Sequence, residues 1–369
     1  KAQFLFPGFP NAFNYYLQGN LAWELDIWGR IRRSNEAARA DLLAREEARR
    51  AAVLQLVSGV AEAYFDLLQF DHQLAITRST LESWQKSVRI AQARLREGVI
   101  AKLDLDQFMS ERANALARVA ELERQMGQKE NHLAVLLGQN PGPIMRGRSL
   151  TDQVLPPSIP AGLPSELLQR RPDLVQAEQE LAAVTARIGA AKADRFPKLT
   201  ITGILGVASP QFARLIANET AFGVVGPSLA GPLLNAQALG FQQRAVEAQE
   251  RQALAEYEQS VLVAFKEVEN ALIAVRTTRE QRSAQAEQVE SLLSAHRQAT
   301  LRYGSGLANY LEVLIAQRNL FDSELALTNT HRLHLVSIVQ LYKALGGGWS
   351  PQDSAQQMPA KTVTEESSG

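Results

Sequence analysis

The stretch RLREGVIAKLDLDQF, residues 94–108, returns in altered form as RYGSGLANYLEVLIA, residues 302–316. Both stretches contain an arginine, a glycine four positions later, and then a leucine followed by an acidic residue. Each of these positions lies 208 residues from its counterpart, so one register without gaps relates the two stretches. A fixed offset of this kind indicates an internal repeat.

The same register extends far beyond the two stretches. It pairs Ala37 with Ala245, Val60 with Val268, Glu82 with Glu290 and Gly138 with Gly346. The chain therefore contains two copies of one structural unit, at about 21–138 and 229–346. Two copies are too few for a solenoid.

Each copy begins with a long helical segment. Between Gly29 and Glu97 the chain has no proline and one internal glycine, Gly59. Apolar residues recur at every seventh position: Val53, Val60, Leu67, Leu74, Leu81, Val88 and Leu95. This spacing is typical of a coiled-coil seam, and a helix of this length extends about 100 Å at 1.5 Å per residue.

A second helix is predicted after the glycine break, ending at Gly138 ahead of two prolines. Its expected seam residues are Leu105, Met109, Leu116, Val119, Met126, Leu133 and Leu137. Each copy is thus a helical hairpin, in which Gly98 or Gly306 permits the backbone reversal. Asp104 or Glu312 favours the first turn of the returning helix.

The second copy has a looser seam than the first. Arg282 and His296 stand where the first copy has Leu74 and Val88. The helices of the second copy are therefore expected to be partly solvent-exposed.

Residues 14–27 alternate between apolar and polar side chains, the period of a β-strand. The apolar positions are Tyr15, Leu17, Gly19, Leu21, Trp23, Leu25 and Ile27. A strand of about 13 residues suits a tilted transmembrane strand, although a half-buried soluble strand is the alternative. PKLTITGILGV from Pro197 and TAFGVVGPSLAG from Thr220 predict a β-hairpin before the second copy. Trp23 and Trp28 lie where aromatic residues commonly mark the lipid–water boundary, and ordinary packing is the alternative.

Composition narrows the classes of function. The 369 residues include 39 basic and 39 acidic side chains, so bulk charge does not support a nucleic-acid partner. The absence of cysteine excludes disulfides, thiolate metal sites and thiol nucleophiles. Among five histidines only His331 and His334 share a helical face, so neither a metal nor a cofactor is predicted. No catalytic or phosphate-binding motif occurs, and no enzyme activity is predicted.

The segment LPSELLQRRPDLVQAEQELAAVTARIGAAKADRFPKLTITG, residues 163–203, joins the two copies. It resembles the signature of TolC-type outer-membrane factors, the exit ducts of bacterial multidrug efflux pumps, in their lipoprotein subgroup. LAWELDIWGRIRR from Leu21 and RYGSGLANYLEVLIAQRNLF from Arg302 are similar to two further motifs of that family. The resemblance covers essentially the whole chain. Within the joining segment, Arg171, Pro172 and Asp173 fit a helix boundary.

The resemblance implies a mainly α fold with transmembrane β-structure and an internal two-fold repeat. Long coiled-coil hairpins would form a periplasmic α-barrel, and four strands per subunit would form a trimeric outer-membrane β-barrel. Three strands are predicted here, so a further strand, N-terminal helices and a frequently lipidated cysteine are expected to precede residue 1. The expected divisions are a strand region at 1–28, a first hairpin at 29–138, an equatorial linker with helices at 139–196, a β-hairpin at 197–231, a second hairpin at 232–346 and a polar, disordered tail at 347–369.

The resemblance also implies a function. The chain would be a passive, homotrimeric exit duct in outer-membrane lipid, with its helical tunnel in the periplasm and no catalysis. It would receive drugs or other small molecules from an inner-membrane transporter through a periplasmic adaptor, the membrane fusion protein. A protein-secretion duct of the same architecture and a soluble periplasmic coiled-coil scaffold are the alternatives.

The hairpin turns are the candidate sites, because in this family their tips close the periplasmic end and dock the adaptor. The expected docking residues are Gly98, Val99, Ile100, Ala101, Gly306, Leu307 and Ala308. The expected gate residues are Leu311, Ile315, Tyr303, Asp104, Glu312 and Arg318. Many members have an aspartate where this chain has Ile315, which favours an apolar constriction that closes by excluding water. Interhelical ion pairs among Asp104, Asp106, Glu312 and Arg318 are the alternative way of holding the tips shut.

Overall fold

The computed structural model describes residues 15–153, 169–209, 211–216, 221–232 and 234–347. The elements of the first half are strand β1 (Tyr15–Leu25), helix α1 (Arg30–Arg96), helix α2 (Lys102–Leu136) and helix α3 (Pro172–Ala193). The remaining elements are strand β2 (Lys198–Ser209), strand β3 (Ala221–Ala230), helix α4 (Ala236–Gly304) and helix α5 (Tyr310–Ala344). Apart from residue 347, the predicted tail at 347–369 lies outside the described residues.

The prediction of long helical hairpins is confirmed. Helices α1 and α2 contain 67 and 35 residues, and α4 and α5 contain 69 and 35. Gly98 and Gly306 have positive φ angles of 74° and 73°, and Gly138 and Gly346 have φ of 69° and 89°. The backbone therefore takes up the same special conformations at an offset of 208 residues.

The chain divides into two compact units. The first contains the described parts of Lys1–Glu46 and Gln176–Gln259, and the second those of Glu47–Val175 and Ser260–Gly369. The first unit holds a three-stranded antiparallel sheet in the order β1-β2-β3.

The register of this sheet separates two faces. Trp23 lies opposite Ile201, which lies opposite Pro227. Because directly paired residues share a face, the sheet has one predominantly apolar face. Its large apolar members are Leu17, Leu21, Trp23, Leu25, Leu199, Ile201, Leu205, Val207, Val225 and Leu229. Most of these side chains are exposed within one chain, as expected for strands whose outer face meets lipid.

Strand β1 ends two residues earlier than the sequence pattern predicted, because Asp26 caps the following helix. Its carboxylate accepts the main-chain N–H groups of Ile31 and Arg32, each at 2.8 Å. The Trp28 indole donates to the carbonyl oxygen of Pro197 at 2.8 Å, and its ring stacks on Phe196. Trp28 therefore lies beyond the strand and joins it to the start of β2.

In the second unit, α1 packs against both α2 and α5. Asp66 of α1 pairs with Lys129 of α2 at 2.9 Å and with Arg332 of α5 at 3.2 Å. Helix α4 packs on the other side of α5, where Thr278 and His334 bond at 3.0 Å. Among the described residues, α1 is the one helix with a window long and apolar enough to span a membrane. Its ion pairs to two neighbouring helices show that it is instead part of a packed bundle.

The predicted seam of α1 is confirmed at Leu67, Leu74 and Val88, which are buried. The predicted seam of α2 is confirmed at Leu133, which is buried, and is wrong at Met109, Leu116 and Leu137, which are exposed. Helix α2 instead turns Phe108, Ala115 and Leu122 inward. Phe108 and Ala115 each lie one residue before a predicted seam position, and Leu122 lies between the predicted Val119 and Met126. The reason is the packing of Phe108 beside Trp84 of α1, which fixes the rotation of α2.

Arg171 marks the start of α3, as the sequence predicted. The Arg171 side chain is buried and forms ion pairs of 2.7 Å with Asp173 and with Glu267 of α4. Burial alone would lower the pKa of Arg171, but its bonds to the two carboxylates raise that pKa further above its ordinary value. Arg171 therefore remains charged inside the unit.

Candidate functional site at the hairpin tips

The turn between α1 and α2 is closed by a glycine in the left-handed region. Gly98 has φ 74°, and its N–H donates to the carbonyl oxygen of Leu95 at 3.0 Å. The N–H of Val99 donates to the carbonyl oxygen of Arg94 at 2.9 Å. These bonds satisfy carbonyls that the helix end leaves free, and glycine adopts the required conformation without strain.

The turn between α4 and α5 has the same geometry. Gly306 has φ 73°, and its N–H donates to the carbonyl oxygen of Tyr303 at 3.1 Å. The N–H of Leu307 donates to the carbonyl oxygen of Arg302 at 2.9 Å. Every donor and acceptor lies 208 residues from its counterpart in the first turn, so the two tips share one backbone design.

The returning helices begin with different caps. Asp104 accepts the main-chain N–H of Ala101 at 3.2 Å, whereas Asn309 accepts that of Leu311 at 3.1 Å. The Asp104 carboxylate is therefore engaged at the start of α2. This contact fits its predicted role in the first helical turn.

Each set of predicted docking residues exposes one large apolar side chain. Val99 is 65% exposed and Leu307 is 73% exposed. Of the other predicted docking residues, Gly98, Ala101 and Gly306 are exposed, and Ile100 and Ala308 are half-buried. The predicted docking residues therefore form two small, mostly solvent-facing surfaces.

An aromatic cluster lies directly behind the tips and connects all four helices. The ring centroid of Tyr310 lies 3.7 Å from that of Phe108 and 5.7 Å from that of Tyr303. Trp84 packs edge-on to Phe108 at 6.4 Å, and the Arg94 guanidinium lies 4.6 Å from the Tyr303 ring centroid. Tyr303 thus packs in this cluster, which bridges the two hairpins.

Tyr310 is the central residue of this cluster, and sequence reasoning missed it. Its hydroxyl is buried with no hydrogen-bond partner among the described residues, and burial raises the pKa of the phenol. The repeat did not indicate a buried aromatic residue here, because the equivalent position in the first copy is Lys102. An unpaired buried hydroxyl costs free energy, so the ring packing must outweigh that loss.

Leu311 and Ile315 lie one helical turn apart on the exposed face of α5. They are 47% and 44% exposed, whereas Val313 and Leu314 between them are buried in the chain's own core. The two predicted gate residues therefore face away from their own subunit. In a symmetric oligomer such a face is available for contact with other copies.

The charged gate candidates are not brought together within the chain. Glu312 lies 4.0 Å from Arg302 across the α4–α5 turn. Arg318 lines a small cavity of about 140 Å³ with Glu111 of α2 and Asp322 of α5. In the described part of the chain no ion pair joins Arg318 to Asp104 or Glu312.

The two histidines on one helical face pack inside the second unit. His334 is fully buried and bonds Thr278, while burial and the nearby Arg282 guanidinium lower the pKa of His331 to about 4. Over the described ranges, no group of three or more histidine, aspartate or glutamate side chains is placed to hold a metal ion.

Comparisons with known proteins agree with this architecture. The family model described as outer membrane efflux protein matches residues 10–139 and 163–347. The toluene efflux pump outer membrane protein TtgC of Pseudomonas putida is 36% identical over 348 residues, covering 94% of this chain and 72% of TtgC. The cation efflux system protein CusC of Escherichia coli is 34% identical over 331 residues, covering 89% of this chain and 72% of CusC.

Solved structures of outer-membrane channels are also similar to this chain. A crystal structure of CusC superposes with a TM-score of 0.85 at 33% identity, covering 91% of this chain and 79% of CusC. A structure of the outer-membrane channel OprN superposes with a TM-score of 0.86 at 30% identity, covering 92% of this chain and 81% of OprN. These similarities extend over both helical hairpins and the strands between them.

Proposed function

Because the chain belongs to the outer membrane efflux protein family, it is the outer-membrane channel of a tripartite efflux pump, and we propose that its hairpin tips dock the adaptor and close the pore. The channel is located in the bacterial outer membrane. It works as a homotrimer with a periplasmic adaptor and an inner-membrane transporter.

Each segment of the chain is proposed to build one part of the channel. The hairpins at 29–138 and 232–346 build the periplasmic tunnel, and the segments at 1–28 and 197–231 contribute the strands in the membrane. The segment at 139–196 contributes the equatorial belt. The relatives are channel proteins rather than enzymes. We propose that this chain likewise conducts its cargo passively, without catalysis.

The proposed cargo is drugs or other small molecules. The names of TtgC and CusC refer to toluene and to cations, two different chemical classes. The identities of 36% and 34% to these two relatives are too similar to favour either class for this chain. The proposal is therefore made at the level of small solutes handed over by the transporter.

The gate is proposed to be apolar, formed by three copies of Leu311 and Ile315. The observation that carries this proposal is their shared exposure on α5, directly beside core residues of the same helix. A ring of aliphatic side chains around a narrow pore excludes water and thereby blocks solutes. The alternative ionic gate has less support, because Asp104 caps α2 and Arg318 lies beside Glu111 and Asp322.

Single-channel conductance in planar bilayers tests the apolar gate. Ile315→Asp should wet the constriction and raise the conductance, because three carboxylates repel one another and attract water and cations. Arg318→Ala is the matched variant for the ionic gate, and it should leave the pore closed. A closed Ile315→Asp channel together with an open Arg318→Ala channel, mimicked in part by high salt, contradicts the proposal.

A further inference from the structure

The second unit contains an open cavity of about 750 Å³ that lies away from the hairpin tips. Helices α1, α4 and α5 form its walls, and Leu150 and Thr151 lie at its edge. Protein sites for small organic ligands have volumes of roughly 300–1,000 Å³, so this cavity has the size of a ligand site.

The repeat shows what the second copy contributes to this cavity. Arg279 and Arg282 line it, and their counterparts 208 positions earlier are Asp71 and Leu74. In the first copy Leu74 is 6% exposed and fills the core. Asp71 pairs there with Arg146 at 2.9 Å. The second copy therefore replaces a packed leucine and a paired acid with two arginines.

These two arginines place positive charge in the cavity lining. Among the ion pairs of the described residues, none involves Arg279 or Arg282. Glu324 is the one acidic residue in the lining, and burial raises the pKa of its carboxyl group. The two histidines of the lining, His72 and His331, have pKa values lowered by burial and are uncharged at neutral pH.

The rest of the lining is largely apolar. It includes Ile76 of α1, Leu150, Val289 of α4 and Leu327 of α5. Arginine side chains bind carboxylates and phosphates through paired N–H groups, and aliphatic side chains favour a hydrocarbon body. The cavity thus combines an anion-binding edge with an apolar wall.

We propose that this cavity binds a small amphipathic organic anion, with its carboxylate or phosphate group on Arg279 and Arg282 and its apolar part against the aliphatic wall. The proposal concerns an accessory site in the tunnel wall and goes beyond the docking and gating roles of the tips. It does not depend on either of those roles.

Isothermal titration of the full-length trimer held in amphipol tests the site. Octanoate is the probe, octanol is the uncharged control for partitioning into the amphipol, and inorganic phosphate tests the head group alone. Saturable octanoate binding is expected, with a more than tenfold loss of affinity in Arg279→Gln and in Arg282→Gln. Arg276→Gln, an exposed arginine on the same helix outside the lining, should bind octanoate as the wild type does.

Arg282→Leu provides a second test, because it installs the residue of the first copy. This variant should lose octanoate binding while keeping or raising the thermal midpoint of the trimer. The proposal is overturned if octanoate does not saturate, if octanol binds equally well and responds to the same variants, or if Arg276→Gln lowers affinity as much as Arg282→Gln. Binding of inorganic phosphate with no octanoate binding would likewise overturn it, because the apolar wall would then have no role.

Discussion

Arg171 donates a 3.0 Å hydrogen bond from its Nη1 to the carbonyl oxygen of Ala344, the last residue of α5. The same guanidinium bonds Asp173 at the start of α3 and Glu267 of α4. Arg171 is 6% exposed and its bond to Ala344 is buried, whereas the Asp173 and Glu267 carboxylates are partly exposed to water. One side chain thereby joins the start of one helix, the middle of a second and the end of a third.

Arg171→Lys should destabilise the trimer although it keeps the charge. Lysine has a compact ammonium group and cannot direct planar N–H groups at two carboxylates and a carbonyl at once. Leaving the buried carbonyl oxygen of Ala344 unpaired costs about 1–3 kcal/mol, which should lower the thermal midpoint by several degrees. Arg118→Lys, at an exposed position of α2, is the control. Equal midpoints for both variants would contradict a special role for Arg171.

The two glycines that follow the hairpins should differ in their tolerance of alanine. Gly138 and Gly346 both have positive φ, so alanine costs about 1–2 kcal/mol at either position. A Cβ at Gly346 would also lie 2.8 Å from the carbonyl oxygen of Arg170, whereas Gly138 has no neighbour within 4 Å. Thermal unfolding should show a clearly larger loss for Gly346→Ala. Similar losses of stability in Gly138→Ala and Gly346→Ala would mean that the backbone at Arg170 moves away from the new Cβ at little cost.

The sheet should depend on Gly206. A Cβ there would lie 2.7 Å from the carbonyl oxygen of Leu17, 2.9 Å from the Cβ of Gln18 and 3.0 Å from the ring of Phe222. Gly206→Val should therefore separate β1 from β2 and reduce the amount of trimer recovered in outer membranes. Gly226→Ala is the control, since a Cβ at that position would have no atom within 4 Å. A normal yield of Gly206→Val trimer would contradict this prediction, because it would show that β1 and β2 accommodate the added side chain without separating.

Much of the architecture could be predicted from the sequence, because helix and strand periods are local. The seven-residue spacing predicted a helix over 29–97, and the structure has Arg30–Arg96. The rotation of α2 could not be predicted, since it depends on the contact between Phe108 and Trp84. Contacts between residues distant in sequence leave no periodic signal. This explains why Arg171 was recognised as a helix boundary but its bonds to Glu267 and Ala344 were not.

The candidate site was predictable in its backbone and less so in its side chains. The glycine at each turn and the acidic residue after it identified the tips. The aromatic cluster behind the tips was missed, because Trp84, Phe108 and Tyr310 come from three different helices. The equivalent positions in the other copy are not aromatic. The cavity beside Arg282 was visible only as a looser seam, since a sequence pattern shows that a leucine is replaced but not what space remains.

The free energy of unfolding should fall as the pH falls, because His331 is harder to protonate in the folded chain than in the unfolded chain. Its pKa in the folded chain is about 4, below the ordinary value of 6.5, so the unfolded chain takes up the proton first. The contribution of His331 to stability is therefore constant above about pH 7, falls between about pH 6.5 and 4, and levels off below that range, with a slope of up to about 1.4 kcal/mol per pH unit. His331→Gln should reduce this slope by the contribution of one proton. Parallel stability profiles for the variant and the wild type would contradict the assignment.

The docking proposal is best tested at Leu307 and Val99, the exposed large apolar side chains among the predicted docking residues. Leu307→Glu and Val99→Glu put a carboxylate where an adaptor would bury an apolar contact, and desolvating that charge opposes binding. Glutamate at Gly98 would be a poorer test, because positive φ adds backbone strain to any loss of binding.

Adaptor affinity should fall about tenfold or more in each of these two variants, while the thermal midpoint of the trimer stays unchanged. Drug susceptibility of cells that depend on this channel should rise in parallel. Met145→Glu, a fully solvated position away from the tips, is the control and should behave as the wild type does. Wild-type adaptor affinity in both tip variants, with an intact trimer, would place the docking surface elsewhere on the chain.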